Sequence, residues 1–382
     1  MNTVALSQAH ALPYWRRPEG LLFLMAFAMP LAFATWLALL NNFVVEVAGF
    51  TGVEIGWLHT VREIPGFLAV GVILLIAVMR EQVLALGSLA LLGLSTAVTA
   101  LFPSFGGILA ITLLSSIGFH YFETVNQSLQ LQWLDKERAP RVLGWIMAAG
   151  SAASLMSYGL LVLTWQTLDL SYGFVYGMAG GLCVAIAVFA HFAYPQFESP
   201  EPQRVGLVLR RRYWLFYALQ FMSGARRQIF VVFAAFMMVE RFGFEVQEMT
   251  ALLLVNYLAN IGLGPLFGRA VGRFGERSVL ILEYAGLVAV FLAYAGIYNF
   301  GWGVALAAGL YIVDHMLFGL SLALKTYFQK IADPGDIAPT AAVSFTINHI
   351  AAVFLPVLLG YLWVVSPGTV FTLAAAMAGV SL

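Results

Sequence analysis

Twelve long apolar runs, separated by short polar breaks, constrain this chain more than any other feature. They cover residues 21–47, 54–78, 83–102, 106–134, 142–166, 172–194, 213–239, 247–268, 278–299, 302–329, 338–364 and 368–382. About 20 apolar residues, rising 1.5 Å each as a helix, match the roughly 30 Å of hydrocarbon in a bilayer. Inside lipid each segment must satisfy its own backbone N–H and C=O groups, so such runs fold as helices. With 61% hydrophobic and 10% charged residues and a mean hydropathy of +0.88, a soluble globule is excluded. The expected fold is an all-α membrane protein with twelve transmembrane helices. The last run has fifteen residues and stops inside apolar sequence; truncation and an end at the membrane surface both account for it. Arg16 and Arg17 directly precede the first run, and no signal-peptide core comes before them, so that run reads as a retained helix.

Charge is distributed unevenly among the breaks. Arg16, Arg17, Arg80, Lys136, Arg138, Arg141, Arg204, Arg210, Arg211, Arg212, Arg269, Arg273, Arg277 and Lys330 fall on one side, and Arg241 alone lies in a break on the other. Positive residues collect on the cytoplasmic face, so both termini are expected in the cytoplasm, as an even number of spans requires. The longest break, 195–212, is proline-rich and basic. It divides the chain into an N-terminal set of six spans (1–194) and a C-terminal set (213–382).

The two sets share a register. An offset of 194 pairs Phe27 with Phe221, Glu46 with Glu240, Gly49 with Gly243, Phe50 with Phe244 and Glu54 with Glu248. An offset of 195 pairs Phe105 with Phe300, Gly106 with Gly301, His120 with His315 and Leu129 with Leu324. One inserted residue reconciles the two. Rare Glu and His in register over so long a stretch point to tandem six-helix pseudo-repeats, an architecture that sets a substrate site at the repeat interface.

Residues 264–280, GPLFGRAVGRFGERSVL, interleave Arg269, Arg273 and Arg277 with Gly264, Gly268, Gly272 and Gly275. Glycines permit close approach and sharp turns, and arginines suit a helix end on the positive face. The stretch therefore reads as a short, rigid cytoplasmic connector. Gly268, Arg273, Gly275, Arg277 and Leu280 resemble the loop motif of the major facilitator superfamily, roughly G-x-x-x-D-R-x-G-R-R-x-x-L. Gly272 stands where that motif has aspartate, and Glu276 where a basic residue is common. The resemblance implies a two-bundle transporter whose helices 1, 4, 7 and 10 line a cavity, with this loop (Gly268, Gly272, Arg273, Gly275, Arg277) latching the cytoplasmic side.

Charge inside the spans is costly: about 2.5–3.5 kcal/mol per residue at the centre, against the roughly 0.3–0.6 that a leucine returns. Arg226 and Arg227 lie mid-way along helix 7 and point about 100° apart, so at most one looks straight into a cavity. One reading makes that arginine an anion ligand and pairs the other with an acid on a neighbouring helix; the alternative makes both structural ion pairs. Helix 4 aligns His120, Glu123, Gln127 and Gln130 on one face. Helix 10 carries Tyr311, His315, Leu322 and Lys325 on its matching face, with Asp314 beside it. Histidines and acids near the midplane are candidates for proton exchange, and interhelical hydrogen bonding is the plainer alternative. On helix 2, His59 and Glu63 are four apart and in reach of each other, whereas Arg62 and Glu63 are neighbours expected to point apart. Glu63 is a candidate acid partner for an arginine, with Arg62 and His59 as ion-pair candidates. Pro30, Pro65 and Pro356 mark bends, and Asn348 and His349 are second-line cavity groups.

Substrate-binding candidates are therefore Arg226, Arg227, His315, Gln127, Tyr311 and Lys325; proton-coupling candidates are His120, Glu123, Asp314 and Glu63. No phosphate-binding loop, histidine or cysteine cluster, or paired-carboxylate motif points to ATP drive, an enzyme or a metal centre, and no cofactor is expected. Zero net charge gives no reason to expect nucleic acid. The leading expectation is a monomeric secondary transporter in the inner membrane, moving a small anionic or carboxylate-bearing solute by alternating access with protons. Alternatives are efflux of drugs or divalent metal, and a non-transporting sensor or assembly factor. Helix 5 lacks the G-P-x-x-G-G pattern of family drug antiporters, and the two arginines would repel a metal at His120, Glu123, Asp314 and His315.

Overall fold

Hydrophobic runs too long for a soluble core fold here into helices, as the backbone argument requires. The computed structural model describes residues 3–69, 72–76, 78–134, 139–198, 209–333 and 337–382. Lys136, Arg138, Arg204 and residues 199–208 of the 195–212 break lie outside the described residues. The helices are α1 (Pro18–Asn42), α2 (Gly52–Phe67), α3 (Val72–Ile76), α4 (Glu81–Val98), α5 (Phe105–Trp133), α6 (Ala139–Thr164), α7 (Tyr172–Ala193), α8 (Trp214–Gln228), α9 (Ala235–Glu240), α10 (Val246–Phe274), α11 (Glu276–Phe300), α12 (Val304–Gly319), α13 (Leu322–Ile331), α14 (Ile337–Val365) and α15 (Pro367–Ser381). Among the described residues, nine helical segments are long and apolar enough to cross a membrane.

The chain divides into two compact units, one of residues 1–48 and 64–204, the other of 49–63 and 205–382. In the first, α1 packs on α6, α7 and α4, and α4 packs on α5 and α7. Leu21, Leu22, Met25, Leu89, Phe122 and Val125 fill its core. A short parallel ladder that the hydropathy pattern did not announce pairs β1 (Thr3–Ala5) with β2 (Gln196–Glu198). Gln82 fixes it by donating to the Pro195 carbonyl (2.9 Å) and accepting from the Phe197 N–H (3.0 Å). Arg16 bonds the Ala193 carbonyl (2.8 Å) and Arg80 pairs with Glu198 (3.5 Å), so these two arginines sit at one end of the unit.

In the second unit, α11 packs on α15 and α12, and α8 on α14 and α15. Tyr213, Phe216, Val279, Tyr284 and Phe328 form an aromatic-rich core. The Arg212–Asp333 and Lys330–Glu276 pairs tie down one end. The first half of α2 packs here, with Gly56 so close to α14 that an added Cβ would lie 2.4 Å from the Pro356 carbonyl oxygen.

Several boundaries differ from those expected. The motif stretch is not a loop: α10 runs through Arg269 and Arg273 to Phe274, and the connector is Gly275 alone, at φ 77°. Arginine ends an apolar run without ending a helix, because it is a good helix former. Gly268 and Gly272 sit within α10 with no neighbour inside 4 Å of an added Cβ, so no close approach uses them. The tenth run is broken at Leu320–Ser321, where i→i+3 bonds (3.0 and 3.1 Å) tighten the chain between α12 and α13. Lys325 therefore lies on a different helix from Tyr311 and His315. Two π-helical stretches, Phe43–Val47 after α1 and Ile229–Ala234 after α8, were also unannounced.

Candidate functional site

The two central arginines have opposite surroundings. Arg226 is 0% exposed. Its Nη1 donates to Ser381 Oγ, and its guanidinium lies over the Tyr284 ring, 4.5 Å from the centroid. Glu283 on α11 and Asp314 on α12 act on it electrostatically. Arg227 is the one exposed residue between Ser223 and Val239, with half-buried Val231 one turn on. A lipid-facing strip would expose an apolar side chain at every turn. Over this stretch the exposed position is instead a cation. Among the described residues Arg227 makes no hydrogen bond or ion pair.

Behind Arg227, Phe230 of the π-helical stretch contacts α12, its ring 4.9 Å from Tyr311 and 6.1 Å from His315. Tyr311 is buried and His315 half-buried. Asp314, one residue back on α12, is 0% exposed and turned towards the interior. Lys325 on α13 is exposed.

In the first unit α5 carries its polar stripe as one unbroken helix. His120 is buried, Glu123 and Gln130 half-buried and Gln127 exposed. The His120 ring meets Phe119 edge-on (5.1 Å), and Phe119 stacks on Phe33 of α1 (4.3 Å).

On α2, Arg62 and Glu63 do not point apart. Arg62 Nε and Nη2 both donate to Glu63 Oε1 (3.0 and 2.6 Å), and His349 Nε2 lies 3.6 Å from Glu63 Oε2. Burial explains the difference: a long arginine chain curls back on its neighbour because an unpaired charge there is costly. His59 is 1% exposed, and neither ring nitrogen has a hydrogen-bond partner among the described residues. Arg273 and Arg277 of the loop motif are exposed.

Two further groups stand out in the structure. Glu283 is the one acid in the run 278–299 and was as legible as Arg226 by the cost of intramembrane charge. Thr60 carried no such signal. Its hydroxyl donates to the Val353 carbonyl (2.7 Å) and accepts from the Val357 N–H (3.2 Å), bridging the α14 backbone around Pro356.

A model of the major facilitator superfamily matches residues 21–356. No curated protein matches the sequence. Among solved structures, a variant of the nucleoside transporter NupG is similar at a TM-score of 0.75 and 15% identity, covering 96% of this chain and 98% of its own. A peptide transporter of the POT family in complex with sulfate gives 0.71 and 14%, covering 99% and 97%. A bacterial homologue of the human lysosomal transporter Spinster gives 0.68 and 13%, covering 95% and 96%. Likeness at such identities speaks to fold alone. Together with nine apolar segments of spanning length among the described residues and the family match over residues 21–356, it shows an integral, multi-pass membrane protein that belongs to the major facilitator superfamily.

Proposed function

We propose that the protein is a proton-coupled secondary transporter of a small anionic or carboxylate-bearing solute. The observation that carries this reading is Arg227, which has no acidic partner among the described residues and is the one exposed side chain between Ser223 and Val239. A guanidinium so held offers two parallel donors to a carboxylate or phosphate oxygen pair. His315 and Tyr311, reached through Phe230, supply further polar contacts to the solute, and Gln127 and Lys325 add exposed ones. His120, Glu123, Asp314 and Glu63 are the proton-exchanging groups.

Twelve spans in two six-helix repeats, joined at 195–212, remain the preferred architecture. Matching local geometry supports it. Gly49 and Gly243 both take left-handed φ, 66° and 67°. The carboxylate of Glu54 accepts from the Thr51 N–H (2.9 Å), and that of Glu248 from the Glu245 N–H (3.0 Å), each at the start of the following helix. We further propose cytoplasmic termini and a monomer. That the similar structures include nucleoside and peptide transporters fits the transport of a small polar solute.

The test is a proteoliposome screen of carboxylates and phosphate against divalent metals under an imposed pH gradient. Uptake of an anion that falls when the gradient is collapsed, and in Glu123→Gln, supports the proposal. Uptake indifferent to the gradient removes proton coupling, and accumulation of metal alone removes the anion.

A further inference from the structure

The second unit buries more charge than it pairs. Arg226 on α8, Glu283 on α11 and Asp314 on α12 are 0%, 1% and 0% exposed. Arg226 spends one nitrogen on Ser381 of α15. Among the described residues its Nε and Nη2, and all four carboxyl oxygens of Glu283 and Asp314, have no hydrogen-bond partner. Arg226 feels both acids electrostatically, and each acid feels Arg226 in return.

One guanidinium thus faces two carboxyl groups in a low-dielectric interior. It balances one negative charge. A second carboxylate would be uncompensated, so that group must take up a positive charge. A metal ion entering here would be repelled by the guanidinium, whereas a proton bonds directly to a carboxyl oxygen. The other ionisable groups around the site are Tyr284 and Tyr294 on α11 and Tyr311 on α12. The hydroxyl of Tyr294 also lacks a partner. Nothing ionisable lies on α15.

We propose that Arg226, Glu283 and Asp314 form a proton-binding site inside the second unit, with one exchangeable proton held on one of the two carboxyl groups. Protonation converts one carboxylate to the neutral acid while Arg226 stays charged and balances the other. Neither carboxyl group need touch the solute. The site deepens the proton-coupled reading, but its test reads proton binding without solute, so either can fail while the other stands.

The experiment is infrared difference spectroscopy of the full-length protein in lipid nanodiscs between acidic and alkaline pH, in choline and in sodium buffer. The expected result is a protonated-carboxyl stretching band that shifts in heavy water and is equal in both buffers. It should vanish in Glu283→Gln or Asp314→Asn and persist in Glu248→Gln, whose exposed carboxylate caps α10. In Arg226→Gln the band should about double, because both acids then need protons. Where a neutral variant fails to fold, Glu283→Asp and Asp314→Glu keep a carboxyl and should move the band in frequency. A band that neither acid alters or moves would overturn the proposal. So would one that sodium abolishes, which would mark a cation site instead.

Discussion

Replacing Arg227 and replacing Arg226 have different expected consequences, because one side chain is exposed and the other sealed. Arg227→Ala should leave thermal stability in detergent within about 0.5 kcal/mol of the parent, as surface changes do. Arg226→Ala should lower it by about 3–5 kcal/mol, since two buried acids lose their shared cation. Equal effects would mean that the two side chains share an environment. The cost of intramembrane charge made the pair legible in the sequence. Which one faced outward was not, because a 100° separation fixes their difference in direction and not the direction of either. Glu283 obeyed the same cost rule but escaped notice for another reason. The offset of 195 that aligns His120 with His315 sets Ser88 opposite Glu283, so the repeat gave it no emphasis.

Among the helices, α14 illustrates how a bend is held. Pro356 lacks an N–H, and the Thr60 hydroxyl inserts between the Val353 carbonyl and the Val357 N–H, a recognised cause of kinking. Thr60→Val should cost about 1–3 kcal/mol through unsatisfied backbone groups. Amide exchange at Val357 should quicken; unchanged exchange would mean the hydroxyl is idle. Gly275, the sole residue between α10 and α11, has φ 77° and ψ 160°, a region almost confined to glycine. Gly275→Ala should therefore cost about 1–3 kcal/mol, read by thermal melting, and an unshifted transition would refute the strain. Hydropathy located nine segments of spanning length among the described residues, because lipid dictates their length and composition. It misjudged where α10 stops, because the helix continues past the apolar run through Arg269 and Arg273 to Phe274. Neither π-helical stretch left a mark in the pattern, since both lie inside uniformly apolar sequence.

At the scale of the molecule the family was legible, from the glycine–arginine motif and the apolar runs, while the orientation expected from the charge between runs awaits its test. Its orientation is open to direct labelling. In a Cys183→Ala background, Gln8→Cys should react with impermeant maleimide only after cells are opened, and Thr167→Cys in intact cells; the reverse pattern would invert the topology. The central claim, that Arg227 holds an anion moved at the expense of a proton gradient, is tested most directly by uptake of labelled carboxylates into proteoliposomes. At least one of them should enter under the gradient, with uptake reduced on the order of ten- to a hundredfold in Arg227→Gln by the loss of a charge-assisted contact. Uptake that is equal in the variant and the parent, at saturating and limiting solute alike, would contradict it.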